Sequence, residues 1–265
     1  MATIAVYNSK GGVGKTTLSV NLAWEAVQNG YRTLLWEIDG QGDSSWLLAS
    51  ECSGAQDHKR SDAKALLYGR SKVNEQIKPT KIDGLSVLSA DASLRDTENF
   101  FVAFSRQNKL VRLFSELSDE FDLIIFDCPP GFSKAMRKVL LVADLIVVPV
   151  IPSPLAFRGL TKIRDFLAKH RGAHSPILPV FSMVDYRRNS HKQALEEHPS
   201  WPQVSMSTKV ENMTSEKLPI GAFDRKSKIS NSFKTLWSGI EQKLHALRTL
   251  RTRPIIEVPK EDCHS

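Results

Sequence analysis

Short apolar runs alternate with helically spaced stretches along this chain of 265 residues. Residues 3–7, 33–38, 84–88, 121–126, 143–150 and 177–184 are nearly continuous in apolar side chains. Such runs predict strands buried on both faces, because a strand with one wet face alternates apolar and polar residues. Between them, residues 17–28 place Leu18, Leu22 and Trp24 to Ala26 at helical spacing, with Gly30 as a stop. Residues 94–117 predict a long helix whose aromatic positions, Phe100, Phe101, Phe104 and Phe114, fit core packing. Further helices are predicted over 155–169 and 229–247, the last with one apolar stripe suited to docking on the core. Residues 44–84 read as a surface excursion, with a short helix over 63–68 and another short piece over 73–77. This alternation predicts an α/β fold: a doubly wound, mostly parallel sheet of roughly seven or eight strands with helices on both faces. One domain is expected over residues 1–250. The tail over 251–265, with two prolines and no period, is expected to be disordered.

Composition narrows the class. Apolar residues make up 41% and charged residues 25% of the chain, enough for a full core. No apolar run approaches the roughly 20 residues of a membrane span. The chain runs directly into a strand, without the basic-then-apolar pattern of a signal peptide. Cys52, Cys128 and Cys263 lie far apart with no C-x-x-C, which argues against a disulfide framework and a structural zinc site. A cytoplasmic location is expected, with Cys128 a small buried residue.

Charge adds a partner. The net charge is +7, and the stretch from Tyr186 to Arg253 holds 13 Lys/Arg against 6 Asp/Glu, so the rest of the chain is balanced. A basic C-terminal third suggests an anionic partner, nucleic acid first and anionic lipid second. No base-reading module is evident, so contact with phosphate backbone without sequence preference is expected. The candidate DNA contacts are Arg187, Arg188, Lys192, Lys209, Lys217, Arg225, Lys226, Lys228, Lys234, Arg248, Arg251 and Arg253.

The chemistry starts at residues 3–17, TIAVYNSKGGVGKTT. A strand, a glycine-rich turn and a helix start follow one another, which is the setting of a phosphate-binding loop. Gly11, Gly12 and Gly14 let successive N–H groups point inward at phosphate oxygens, and the helix N-terminus adds its positive dipole end. The cradle would comprise Gly11, Gly12, Val13, Gly14, Lys15, Thr16 and Thr17, with Lys15 reaching the β- and γ-phosphates and the Thr16 hydroxyl on Mg²⁺. Asp39, at the C-terminal end of the second strand, would stand beside this loop at the mouth of the sheet. Asp127 ends the apolar run FDLIIF, the Walker B arrangement, in which the carboxylate serves the metal.

One departure is informative. The standard loop pattern asks for glycine at position 9, where Ser9 stands, and does not ask for Lys10. KGGVGKTT resembles the deviant P-loop of the ParA/MinD family of dimeric ATPases. In that family the lysine matching Lys10 reaches across a subunit interface to the partner's nucleotide. Residues 37–43, EIDGQGD, resemble the family's switch I, with Glu37 in place of its first aspartate and Gly40 in place of its proline. The resemblance gives Asp39 the task of orienting the attacking water or the Mg²⁺ shell. Asp127-Cys128-Pro129-Pro130-Gly131 resembles switch II, and residues 143–160 share the family's pattern, with Ala156, Gly159 and Leu160 in place. It places Met183, Asp185 and Pro219 beside the adenine base, with residues 204–207 as a final strand and 210–213 on the base-side loop.

The resemblance implies Mg²⁺-dependent ATP hydrolysis to ADP and phosphate, with Lys10, Lys15 and Asp39 as catalytic residues and Thr16, Asp39 and Asp127 at the metal. It also implies an ATP-driven homodimer on nucleoid DNA and a ParB-like or other cargo adaptor that stimulates hydrolysis. The cargo would be a plasmid, a chromosome or a protein assembly. Two alternatives stay open. A MinD-like membrane switch would use Leu244, Leu247 and Leu250 with Arg248 and Arg251, although Pro254 cuts that segment short. A P-loop metabolic enzyme or metal-cluster carrier is the other, and the missing cysteine pairs weigh against the carrier.

Overall fold

The computed structural model describes residues 1–48, 76–89, 109–169 and 176–252. The helix expected over 63–68, most of the piece over 73–77, the first part of the helix over 94–117 and the tail beyond 252 lie outside them. Among the described residues, eight strands form one sheet. They are β1 Ala2–Val6, β2 Thr33–Glu37, β3 Ile77–Pro79, β4 Leu85–Leu88, β5 Leu123–Asp127, β6 Leu145–Val150, β7 Ile177–Val184 and β8 Gln203–Ser205. The spatial order is β3-β4-β2-β5-β1-β6-β7-β8, and every pairing is parallel except that of β3 with β4.

Strand residues alternate between two faces, and that period divides the core in two. Ala5, Tyr7, Leu34, Trp36, Ile124, Phe126, Ile146 and Val148 face one layer of helices. That layer contains α3 (Lys109–Ser118), α4 (Lys134–Val142) and α5 (Pro154–Lys169), which contribute Leu117, Met136, Val139, Leu160 and Ile163. Ile4, Val6, Leu35, Leu123, Ile125, Leu145 and Val147 face the opposite layer. There α1 (Lys15–Gln28), α2 (Asp43–Leu48), α7 (Lys209–Glu216), α8 (Ile220–Phe223) and α9 (Lys228–Thr252) supply Leu22, Leu47, Met213, Ile220, Phe233, Trp237 and Ile240. Among the described residues the remaining helix, α6 (Asn189–Glu197), covers Phe181 and Val184 through Ala194 and Leu195.

Several elements differ from the pattern reading. α2, α4 and α6 were not anticipated as helices. Residues 210–213, assigned to a base-side loop, are the first half of α7, because Val210 and Met213, one turn apart, pack on the opposite-layer core. β5 runs through Asp127 rather than ending at Phe126, since Val6 and Glu37 on its two neighbours both pair with Asp127. The terminal helix begins at Lys228, and its stripe of Phe233, Trp237, Ile240 and Leu244 is buried against the sheet and α1.

Parallel order puts the C-terminal ends of β1, β2 and β5 side by side, with β5 between the other two. The loops that follow these three strands therefore meet at one edge. Burial at the centre of this sheet should dominate stability. Ile125 is fully buried in β5, so Ile125→Ala is expected to cost about 3–4 kcal/mol. Ile77, half-buried on the edge strand, should cost clearly less on the same substitution. Urea unfolding of the two variants checks the ranking.

Candidate functional site

The loop after β1 curls tightly before α1. Gly14 holds φ +84°, and a Cβ there would meet the Ser182 Oγ at 3.0 Å, so glycine serves both the turn and the close approach of β7. Asn8, fully buried, braces the loop by donating to the Pro149 carbonyl at 2.7 Å while its Oδ1 accepts from the Lys10 N–H at 3.0 Å. α1 then starts at Lys15, whose side chain is 7% exposed. Its ammonium donates to the Lys10 carbonyl at 2.9 Å. Burial lowers the Lys15 pKa, and the carboxylates of Asp127 and Asp39 partly offset that.

Asp127 is the matching buried anion. It is 1% exposed, and its carboxylate accepts from the Ser19 hydroxyl at 3.0 Å, from the Ser44 hydroxyl and from Thr16. Burial pushes its pKa up, while these hydroxyls pull it down. Asp39 lies half-buried just past β2, and its Oδ1 accepts the Gln41 N–H at 3.1 Å. Thr16, Lys15, Asp39 and Asp127 thus converge at one strand-end edge. A buried ammonium that donates to a carbonyl is suited to an anion, and a buried carboxylate held by hydroxyls is suited to a cation.

Glu37 has a part that the sequence left unassigned. Its carboxylate accepts from the Ser44 N–H at 2.8 Å and from the Ser45 N–H and hydroxyl, so it caps the N-terminus of α2 from the preceding strand. The cap sets Ser44 against Asp127. The longer reach of glutamate, compared with aspartate, spans the gap to α2. Cys128 is buried, and burial raises its thiol pKa well above the ordinary value, so it is inert.

A cavity of about 310 Å³ opens beside Gly14, Thr17 and Leu18. Met183, Val204, Met206, Val210 and Phe233 make its apolar walls, and Ser182, Ser205, Ser207 and Glu211 add polar groups. Met183 takes φ 55°, a left-handed conformation uncommon for a non-glycine residue. Of the three residues assigned to the base, Met183 is in this wall, while Asp185 and Pro219 are not among the lining residues. Asp185 instead accepts from the Arg187 backbone and guanidinium and pairs with Arg188 at 3.6 Å, which holds its carboxyl down at about 2. Pro219 is buried ahead of α8, whose first N–H, from Ile220, donates to Asn21 at 2.9 Å. Val210 belongs to the segment that the resemblance set on the base side, whereas Met206 and Phe233 had no base-side assignment. Their common signal is an apolar residue just beyond a strand end or on the helix facing it.

The basic candidates are dispersed. Lys192, Arg225, Lys226, Lys228 and Lys234 are exposed on α6, on the α8–α9 connection and on α9. Arg225 and Lys234 both act on the buried Glu25. Lys209 pairs with Asp224, and the Lys217 ammonium sits 4.2 Å from the centre of the exposed Trp46 ring on α2. Arg248 and Arg251 lie in the last turns of α9, and Arg253 is outside the described residues.

The Glu37 cap carries a pH signature. Burial raises its carboxyl to about 7 from the ordinary 4.5, so the folded state holds its proton over that window while the unfolded chain releases it. Folding stability should therefore fall as the pH rises from about 4.5 to about 7. Glu37→Gln keeps an acceptor and removes the titration. Urea unfolding should find the variant more stable than wild type at pH 8 by the order of 1–3 kcal/mol, and nearly equal at pH 4.5.

A family profile described as AAA domain matches residues 1–178. The sporulation initiation inhibitor protein Soj of Bacillus subtilis is 33% identical over 203 residues, spanning 73% of this chain and 77% of Soj. The chromosome partitioning protein ParA of Caulobacter vibrioides is 30% identical over 197 residues, or 72% of each chain. Among solved structures, the septum site-determining protein MinD of Pyrococcus horikoshii, complexed with Mg-ADP, superposes with a TM-score of 0.69. That match has 20% identity and covers 93% of this chain and 98% of the other. Strand order, P-loop, paired carboxylates at the strand ends and these likenesses agree: the chain belongs to the ParA/MinD family of P-loop ATPases, alongside the ParA-type partition proteins.

Proposed function

We propose that this protein is a ParA-like positioning ATPase that binds Mg·ATP, dimerises on it, holds DNA non-specifically and is reset by hydrolysis to ADP and phosphate. The observation that carries the reading is the convergence of buried Lys15 with buried Asp127 and rim Asp39 beside a nucleoside-sized cavity. The residues fit the ligand on physical grounds. Lys15 would exchange the Lys10 carbonyl for phosphate oxygens, and the loop amides would share that charge. Thr16 and Asp127 would hold magnesium, whose remaining sites are normally taken by water and phosphate. Bound there, magnesium would neutralise charge on the phosphate oxygens. Asp39 would orient the attacking water from the rim, and Met183, Met206 and Phe233 would enclose the base.

Lys10 gives the enzyme its switch. Lys15 would serve this chain's own nucleotide, and family resemblance assigns Lys10 to the nucleotide of a second subunit. ATP then joins two subunits face to face and hydrolysis releases them. The basic residues of the C-terminal third would hold the dimer on nucleoid DNA through phosphate contacts, and an adaptor bound to cargo would trigger hydrolysis. A membrane role is disfavoured by α9, because Phe233, Trp237, Ile240 and Leu244 are already buried in the core. Among the described residues no helix is long and apolar enough to cross a membrane.

One binding series tests the proposal. DNA and anionic liposomes are each offered to wild type and Lys10→Ala with ATP, ADP or no nucleotide. Salt-sensitive DNA binding that requires ATP and disappears in Lys10→Ala, together with an ATP dimer by light scattering, is expected. Liposome binding without DNA binding would contradict it.

A further inference from the structure

A second cavity, of about 680 Å³, lies on the other helical layer, away from the nucleotide cavity. Two stripes line it. Lys134, Lys138 and Leu141 succeed one another on α4, and Lys162, Phe166 and Lys169 on α5, each stripe running two turns along its helix. Arg137 and Asp165 complete the charged rim. Five cations thus face one carboxylate, and among the described residues none of Lys134, Lys138, Lys162 and Lys169 is in an ion pair. The floor is apolar: half-buried Phe132 and Phe166 meet edge to face at 5.1 Å, and Leu141 is 36% exposed.

This combination selects a partner. Duplex DNA would use the cations but would leave the aromatic floor of a concave groove unfilled. Single strands would need open ring faces for stacking, yet the Arg137 guanidinium stands 5.1 Å from the Phe132 centre and 5.9 Å from that of Phe166. A second copy meeting the groove across a two-fold axis would set like charges together. An amphipathic helix fits: its apolar side covers Phe132, Phe166 and Leu141, and its carboxylates reach the lysines on both walls.

The floor is also tied to the nucleotide site. Phe132 packs on Tyr7, with ring centres 6.3 Å apart. Its neighbour Gly131 is held at both ends, the N–H donating to the Ser9 carbonyl of the P-loop at 2.9 Å and the carbonyl accepting the Tyr7 hydroxyl. A ligand that moves Phe132 must pull on this clamp.

We propose that the α4–α5 groove docks an acidic amphipathic helix of a protein partner, and that the P-loop feels its occupancy through the Gly131 clamp. The second half rests on the ATPase reading above. The probe is a labelled designed peptide about 18 residues long, roughly five helical turns, with glutamates on one side and leucines on the other. Its control replaces every glutamate by glutamine. Fluorescence anisotropy should show salt-sensitive binding of the acidic peptide, at least about tenfold weaker for the control and for Lys138→Glu/Lys162→Glu. ATP turnover should change with the acidic peptide in wild type only, while the double variant keeps its basal rate and its circular dichroism. Equal binding by wild type and the double variant, or by peptide and control, overturns the docking site. Loss of duplex DNA binding in the double variant with peptide binding intact gives the groove to nucleic acid and overturns it too. Tight peptide binding with unchanged turnover overturns the clamp. A wild type that hydrolyses no ATP refutes the ATPase reading instead, and anisotropy still decides the docking.

Discussion

Two opposite charges are buried close together at the strand-end edge, and among the described residues neither is in a direct ion pair. Lys15 leans on a carbonyl and Asp127 on hydroxyls, and burial shifts each toward its neutral form. Burying unpaired charge costs several kcal/mol unless something compensates. The large parallel core bears that cost, and the geometry follows from strand order. With β5 between β1 and β2, the P-loop, Glu37 and Asp127 must share one edge. A ligand with phosphates for Lys15 and a divalent cation for Asp127 removes both penalties at once. On the proposed reading, the same few residues would serve binding, switching and chemistry.

Most of this was legible in the chain because parallel strands buried on both faces leave near-continuous apolar runs, and because a phosphate loop needs glycines and a lysine at fixed spacing. What stayed hidden has physical reasons. α4 merges with the apolar run of β6, since Val139 to Val142 and Leu145 to Val150 read as one stretch. α6 buries only His191 and Ala194, too few for a stripe. By resemblance Glu37 stands in place of the first aspartate of switch I, and only the backbone of α2 reveals it as a cap that places Ser44 against Asp127. The cavity beside the P-loop also takes in Met206 and Phe233, which topology and not any local pattern brings up to Gly14 and Met183.

Charge was legible as a total and less so in its placement. The C-terminal third carries the excess, yet Lys209, Arg187 and Arg188 are engaged by acidic neighbours and Lys217 by Trp46. Meanwhile α4 and α5, in a stretch whose net charge drew no attention, face a basic groove across an aromatic floor. Net charge over a window averages this away, because helical spacing decides which lysines share a face. On the proposed readings, the dispersed C-terminal cations would meet a polyanion over many contacts and the groove a single shaped segment.

On the proposed reading, Mg·ATP relieves the two buried charges. Thermal unfolding of wild type with Mg·ATP, with ATP and a chelator, and with Mg²⁺ alone tests it most directly. At ligand about a hundredfold above Kd, stabilisation of roughly 2.7 kcal/mol is expected, which raises Tm by about 5–10 °C for a chain of this size. ATP without the metal should give clearly less, and Mg²⁺ alone almost nothing. A Tm unmoved by Mg·ATP, or moved as far by ATP with the chelator, would contradict the account.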